Sequence, residues 1–184
     1  MRDEWVIVLD FLQHGRIGMT RSEPVAQALG DKFFSLLEVV IREESQVTPE
    51  ERLYIGEGKR DKVKYVRGRV SVADLTVVAR DDLPRMVEKI VDTDQKRFIE
   101  FFNKSGPITT RLHQLELLPG IGKKHMWDVI DARKEKQFET FEEISQRIKL
   151  LPDPKKAVIR RIMDEIENKD RYKLFVSGMP LRQF

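Results

Sequence analysis

Hydrophobic residues in the first third of the chain form short runs rich in β-branched and aromatic side chains, a pattern typical of strands. A turn-forming stretch, Gly56 to Asp61, then precedes a further run that ends near Val70. The pattern therefore predicts a four-stranded meander, with strands over Trp5 to Phe11, Phe33 to Ile41, Arg52 to Ile55 and Lys62 to Val70.

The connection between the first two predicted strands, Gln13 to Gly30, contains Gly15, Gly18 and Pro24. Glycine and proline interrupt regular structure, so this stretch is expected to be a loop. Two basic side chains, Arg16 and Arg21, are expected to point from it into solvent.

From Ser71 the hydrophobic spacing changes to that of helices. Ser71 and Asp74 have the spacing of a capping box, which predicts a short helix as far as Arg80. Proline is accepted in the first turn of a helix, so a second helix is expected to begin near Pro84. The same spacing predicts later helices over Asp94 to Asn103, Thr110 to Leu117, Lys123 to Lys134, Phe141 to Ile148 and Lys155 to Asn168.

The break Ser105-Gly106-Pro107 predicts a domain boundary. We expect an α+β protein of two domains, with a small β-barrel and its connecting helices over residues 1–105 and an all-α domain over residues 106–170. The tail, Tyr172 to Ser177, has a strand-like composition, and a strand over residues 171–178 is expected to close the barrel.

Composition excludes several classes of protein. Of the 184 residues, 35% are charged and 40% hydrophobic, which favours a soluble, cytoplasmic protein without a membrane segment. The absence of cysteine excludes disulfides, thiolate metal sites and thiol nucleophiles. The three histidines show no ligand spacing, so neither a metal nor a cofactor is expected.

Positive charge is concentrated in one segment rather than spread over the chain, whose net charge is only +3. Residues 1–50 carry five basic and nine acidic side chains, whereas residues 52–69 carry seven basic and two acidic ones. Basic strands beside exposed aromatic rings can bind nucleic acid. The candidates are Lys59, Arg60, Lys62, Lys64, Arg67, Arg69, Tyr54 and Tyr65. The alternatives are a charged sheet edge that resists aggregation, and tyrosines packed in the core.

A second candidate lies between Leu115 and Ile130, where two predicted helices are joined by a turn with two glycines. Glycine permits positive φ and a close approach of phosphate to the main chain, and free N–H groups at the start of the second helix attract anions. Such contacts are to the backbone of a nucleic acid and read no sequence. The candidate residues are Pro119, Gly120, Ile121, Gly122, Lys123 and Lys124; the alternative is an ordinary turn between helices.

Three segments resemble the tandem helix-hairpin-helix domain of DNA-uptake and repair proteins. They are Leu-Pro-Gly-Ile-Gly-Lys-Lys at residues 118–124, Trp127 to Arg133 and Phe138 to Ile144. The second half departs from that pattern, because Leu151-Pro152-Asp153-Pro154 occupies the place of a second glycine turn. Proline has no N–H and Asp153 would repel phosphate, so only the first turn is expected to bind.

Taken with Arg111 to Gln114 and the basic turn Gly58 to Val63, the chain resembles DUF655, an archaeal family of uncharacterised proteins. The resemblance covers nearly the whole chain. It implies an OB-like barrel beside a tandem helix-hairpin-helix domain, and no established activity. Members tend to be encoded beside translation and transcription genes, which favours RNA or ribosome-related work.

Three classes of function follow from these observations. The leading hypothesis is a sequence-nonspecific nucleic-acid-binding protein whose partner is an RNA or DNA backbone. The second is a module that docks on ribosomal or polymerase proteins. The third is a DNA-repair accessory protein or nuclease, although Glu139 is the nearest acid to the position of a repair glycosylase's catalytic aspartate and lacks its context. No catalytic residue is therefore assigned.

Overall fold

The structure, a computed structural model, describes residues 2–16 and 22–176 and has a mixed α+β architecture. Five strands form an antiparallel sheet that curls into a half-barrel, in the order β4-β1-β2-β3-β5. The strands are β1 (Trp5–Leu12), β2 (Val25–Gly30), β3 (Leu36–Ile41), β4 (Arg52–Tyr54) and β5 (Val63–Arg69). The predicted meander is wrong, because β4 returns to pair with β1 while β5 pairs with β3.

Five α-helices follow in the described part of the chain, with a short hairpin between the second and third. The helices are α1 (Val77–Thr93), α2 (Gln95–Lys104), α3 (Lys123–Glu135), α4 (Phe141–Arg147) and α5 (Pro154–Ile166), and the hairpin strands are β6 (Pro107–Thr109) and β7 (Leu112–His113). None of the helices over residues 2–16 and 22–176 has the length and hydropathy needed to span a membrane.

The chain divides into two compact units. One contains residues up to Val87 and those from Glu165 onwards, and the other contains Glu88–Asp164. The division therefore falls within α1 and α5 and not at the predicted boundary of residues 105–107. Helix α2 belongs to the second unit because it contacts the segment after α3: the side-chain amide of Asn103 exchanges two hydrogen bonds of 2.9 Å with the backbone of Phe138.

Strand β2 lies where the sequence predicted a loop, and all six of its residues are buried. Alanine and glutamine have low strand propensity, which explains the error. In the structure β2 is a central strand, where the small side chains of Ala26 and Ala28 fit one buried face of the sheet. Tertiary burial has overridden local preference here.

One face of the sheet forms an apolar core built from alternate positions of each strand, as the two-residue period of a strand requires. The buried members of this cluster are Val6, Val8, Ala26, Ala28, Leu37, Val39, Ile41, Val47, Leu53, Ile55 and Val63. Phe11 and Val66 pack against it and are partly buried.

The opposite face carries two buried polar residues, Gln27 and Glu38, and Gln27 anchors the chain ahead of α1. The Gln27 amide donates to the Asp74 carbonyl at 3.0 Å and accepts from the Thr76 N–H at 2.8 Å. Thr76 in turn caps α1 by accepting from the Ala79 N–H at 3.1 Å. These bonds satisfy polar groups whose burial without partners would be costly.

Arg16 does not point into solvent as predicted. Its guanidinium forms an ion pair of 2.5 Å with Glu38, which also lies 3.6 Å from Arg67. A buried carboxylate requires such compensation, which accounts for the inward direction of Arg16. Arg21 lies outside the described residues.

Helix α1 is continuous through Pro84, where the sequence predicted the start of a separate helix. Proline inside a helix removes one hydrogen bond and normally destabilises it. Burial of Leu83, Met86 and Val87, at helical spacing on one face, offsets that cost. The predicted capping box is confirmed, with the Ser71 N–H donating to Asp74 at 2.8 Å before a short 3₁₀ turn.

The predicted closing strand is absent from residues 171–176, and residues 177 and 178 lie outside the described part. These residues instead wrap around the buried carboxylate of Glu165. That carboxylate accepts from the backbone N–H groups of Leu174, Phe175 and Val176 at 2.7, 2.9 and 2.9 Å. A side chain has thus taken the place of a neighbouring strand as the partner of this backbone.

Replacement of Glu165 by glutamine should release this segment. The amide offers one acceptor oxygen where the carboxylate offers two, and it loses the strength of charge-assisted bonds, which are worth roughly 1.5–3 kcal/mol each. We expect amide hydrogen exchange at residues 174–176 to accelerate at least tenfold in E165Q. Unchanged protection of these three amides would show that the carboxylate does not hold the segment.

Candidate nucleic-acid interface

The segment before the turn with two glycines is not the helix predicted over Thr110 to Leu117. Residues 107–113 form the β6–β7 hairpin, and Gln114–Leu117 form a 3₁₀ turn. The cause is a pair of bonds between Gln114 and Gly106: the Gly106 N–H donates to the Gln114 side chain at 2.8 Å, and the Gln114 N–H donates to the Gly106 carbonyl at 3.0 Å. This closure leaves room for only one turn of helix before the glycines.

His113 caps that 3₁₀ turn. It is buried, and its Nδ1 accepts the N–H of Leu115 at 3.1 Å. Burial, and then the nearby charge of Arg133, lowers the pKa of His113 below its ordinary value. Both effects favour the neutral ring, whose Nδ1 accepts the hydrogen bond that caps the 3₁₀ turn.

The turn itself has the geometry that the sequence predicted. Gly120 has a φ of +83°, which side chains with a Cβ rarely adopt. The N–H of Ile121 donates to the carbonyl of Leu118 at 3.0 Å. Ile121 and Leu118 are both buried, so the turn is fixed to the unit through its apolar side chains.

Helix α3 begins directly after this turn, with Gly122 at its N-cap and no side-chain cap. The first bond along the helix is donated by Met126 to the carbonyl of Gly122 at 2.9 Å. The N–H groups of Lys123, Lys124 and His125 therefore precede the intrahelical ladder, as at every helix start. They carry the positive end of the helix dipole.

Neither backbone conformation nor crowding in the described structure requires glycine at position 122. Its φ of −89° and ψ of −177° are open to all residues. A Cβ built at this position would meet nothing within 4 Å. The absence of a side chain thus keeps space clear on the outer side of the N–H groups, where an anion would approach.

Lys123 and Lys124 are exposed, and within residues 2–16 and 22–176 neither forms an ion pair or a side-chain hydrogen bond. The segment between Glu116 and Asp128 contains no acidic residue. The positive charge at the start of α3 is therefore not neutralised within its own segment.

Trp127 was not among the residues that the sequence singled out. Its side chain is 57% exposed, which is unusual for so large an aromatic residue. It lies four residues after Lys123 and three after Lys124, so the three share one face of α3. A signal was available in the sequence, since Met126, Val129 and Ile130 already account for the apolar face of this helix.

Two arginines, the half-buried Arg133 and the buried Arg161, position the glycine turn and the helix that follows it. Arg133 of α3 donates to the Phe102 and Ser105 carbonyls, both at 2.8 Å, and so docks α3 on the end of α2. Arg161 of α5 donates at 3.2 Å to the carbonyl of Leu117, which is the last residue of the 3₁₀ turn. Carbonyls at the ends of two helical segments, which lack intrahelical partners, are satisfied in this way.

The second turn repeats the backbone of the first with different chemistry. Leu150 occupies the positive-φ position at +63°, and the N–H of Leu151 donates to Ile148 at 3.4 Å. Helix α5 is then capped by Asp153, which accepts the N–H of Lys156 at 3.1 Å. The start of α5 is thus occupied by a carboxylate of the chain itself. Pro152 lies against Gly120, since a Cβ at Gly120 would be 2.9 Å from Pro152 Cγ.

Charges on the basic strand are largely compensated by acids that lie elsewhere in the sequence. Lys62 pairs with Glu51 at 2.5 Å, and Lys64 and Arg67 lie 3.2 and 3.4 Å from Glu23. Hydrogen bonds from Tyr65 and Lys64 hold the pKa of Glu23 below its ordinary value. This face is consequently much less positive than the count over residues 52–69 indicated.

The other predicted residues of this region have mixed placements. Arg60 donates to the Gly56 carbonyl at 2.9 Å, Arg69 donates to Ser35 at 3.1 Å, and Lys59 is exposed. Of the two tyrosines, Tyr54 packs edge-on against Trp5 with ring centres 5.0 Å apart. Tyr65 is 39% exposed, but its hydroxyl donates to Glu23 at 2.9 Å.

Glu139, the acid weighed for catalysis, is an exposed residue that pairs with Lys136 at 3.2 Å. Its own backbone N–H donates to Glu143 at 2.8 Å. These contacts belong to the turn before α4 and bring no second catalytic group to it.

The fold and site define a mixed α+β protein with a curled five-stranded sheet and a helical unit that presents one uncapped helix start. A family model described as "Protein of unknown function (DUF655)" matches residues 2–177, and the chain belongs to this family. An uncharacterised protein of Methanocaldococcus jannaschii, MJ0038, is 40% identical over 176 residues, which are 95% of this chain and 80% of that protein.

The fold is also similar to a solved structure, the crystal structure of Af1531 from Archaeoglobus fulgidus, which is described as a DUF655 protein. The TM-score is 0.84 and the sequence identity 44%, with 95% of this chain and all of that chain covered. Relatives in two archaea therefore support an archaeal family with this fold.

The two glycines of the turn should respond differently to alanine. Gly120→Ala should destabilise the protein by roughly 1–3 kcal/mol, because the residue has positive φ and its Cβ would press on Pro152. Gly122→Ala should change stability by less than about 1 kcal/mol, since its conformation is ordinary, its surroundings are open, and the lower entropy of the unfolded chain offsets the poorer N-cap. Urea unfolding of both variants measures the difference, and equal destabilisation would contradict this account of Gly122.

Proposed function

We propose that this protein binds the sugar-phosphate backbone of nucleic acid, without sequence preference, through the turn Pro119 to Lys124. The observation that carries the proposal is the uncapped start of α3, over which Gly122 leaves open space. An anion placed there accepts hydrogen bonds from main-chain N–H groups that have no other partner along the helix.

Charge supports a polyanion as the ligand. Lys123 and Lys124 flank the N–H groups without an acid of their own segment to neutralise them. Each lysine placed beside a phosphate releases condensed counterions, which adds affinity that depends on salt concentration. Backbone amides and flexible lysines recognise phosphate geometry and charge, so they position the protein on a strand without reading bases.

In this proposal the helical unit is a tandem helix-hairpin-helix domain, with one binding turn and one structural turn. The repeated positive-φ position at Gly120 and Leu150 supports that interpretation. The curled sheet is taken as OB-like on the basis of its five short antiparallel strands. We propose RNA in preference to DNA as the ligand, in line with the expectation from the resemblance to DUF655. The basic strand, whose charges are compensated, has a secondary role in binding.

Removal of the two lysine charges tests the proposal directly. In Lys123→Gln/Lys124→Gln the slope of log affinity against log salt should fall by about 1.4 to 1.8, since each phosphate contact contributes about 0.7 to 0.9. Fluorescence anisotropy with labelled RNA and DNA at several salt concentrations measures the slope.

Two matched controls accompany this experiment. Lys59→Gln/Lys64→Gln removes the same charge from the basic strand region and should change the slope by less than half as much, because Lys64 already pairs with Glu23. Gly122→Ala adds a Cβ beside the N–H groups at the start of α3 and should weaken binding, whereas Gly106→Ala adds one at another open glycine of the same unit and should bind as the unaltered protein does. No binding at low salt, or a larger loss from the strand variant, would overturn the proposal.

A further inference from the structure

Trp127 is the large aromatic side chain that stands out as exposed in the helical unit. Within residues 2–16 and 22–176 its indole forms no ring contact, cation–π contact or hydrogen bond. Apolar surface that stays in water gains no burial free energy on folding. The position therefore calls for an explanation outside the packing of the unit.

The geometry of α3 directs this ring towards the uncapped helix start. Side chains of a helix lean towards its N-terminus, so the indole covers the surface over the preceding turn, which carries Lys123 and Lys124. Four residues correspond to about 6 Å along the helix axis. Trp127 is therefore attached about one helical turn from the start of α3.

We infer that Trp127 stacks on a base next to the phosphate held at the start of α3, so that the ligand is a nucleotide whose base is unpaired. This inference rests on the proposed function and adds the class of nucleic acid to it. Inside a duplex the faces of the bases are covered by neighbouring pairs, whereas single strands and open loops expose them. A flat aromatic ring beside two lysines matches the exposed base and the phosphate together.

The two lysines and Trp127 contribute different interactions, electrostatic attraction and stacking. Lys123 and Lys124 supply attraction that depends on salt and is common to single strands and duplexes. The indole supplies stacking, which accepts every base because each has a π face. The pair thus gives a preference for unpaired nucleic acid without a preference for sequence.

The test compares single-stranded and duplex oligonucleotides of equal length, as RNA and as DNA, binding to substitutions at Trp127. Trp127→Ala and Trp127→Leu should weaken single-strand binding by roughly 5- to 100-fold, while Trp127→Phe keeps most of it. Leucine is the matched control, because it retains apolar surface and lacks a ring. Duplex binding should stay within about twofold of its original value, and the salt slope should be unchanged in every variant.

Tryptophan emission gives an independent readout. Since the chain contains only Trp5 and Trp127, the Trp5→Phe background reports on Trp127 alone. Addition of single-stranded oligouridylate or oligothymidylate should quench this emission. Quenching that is absent at saturating oligonucleotide would overturn the inference.

The outcomes separate this inference from the proposed function. Binding that depends on Lys123 and Lys124 but is unaffected by Trp127→Ala, or that weakens equally for duplex and single strand, overturns the stacking inference alone. Failure of the unaltered protein to bind any of the oligonucleotides at low salt overturns both. Unchanged thermal unfolding of the Trp127 variants, expected for an exposed residue, excludes loss of the fold as the cause.

Discussion

Backbone N–H groups at the start of a helix need partners that the helix itself cannot provide, and the helical unit is built around this constraint. Helix α5 satisfies this need with the carboxylate of Asp153, and α4 does so with the hydroxyl of Thr140. Helix α3 has glycine at the same place and therefore no side-chain acceptor. The fold of the helical unit, through the buried Ile121 and Arg161 and the half-buried Arg133, holds this uncapped end in a fixed position.

The two turns show how one backbone can serve two purposes. Both have a positive-φ residue shortly before a helix, three positions before α3 and four before α5. Gly120 is followed by glycine and lysines, whereas Leu150 is followed by proline and aspartate. The first turn leaves its N–H groups open to an external anion. The second replaces that anion with an acid of the chain and packs its proline against the first turn. The second turn thus packs against the turn that we propose to bind the anion.

How far the sequence predicted this molecule depended on whether the deciding interactions were local. The glycine turn, the start of α3 and the structural second turn were predictable, because proline, glycine and capping residues act within a few positions. Strand β2 was missed, since its alanines form a strand only when both faces of the sheet are covered. The closing strand was wrong for a similar reason: Glu165, distant from any strand pattern, supplies the partner for residues 174–176.

The candidate site shows the same limit. Counting charges over residues 52–69 indicated a strongly basic strand, but Glu23, Glu38 and Glu51 lie outside that window and neutralise much of it in the folded sheet. Trp127 was overlooked because exposure of a helical residue is a tertiary property. For this reason we propose the start of α3, and not the sheet, as the main binding region.

The central claim is that an anion of a nucleic-acid backbone contacts the N–H groups at the start of α3. Its most direct test is an NMR titration of the isotopically labelled protein with a short single-stranded oligonucleotide, following each backbone amide. The account predicts that the amides of Gly122 to His125 shift most, while those of Asp153 to Ala157 at the second turn remain in place. Shifts confined to the β-sheet, or of equal size at both turns, would contradict it.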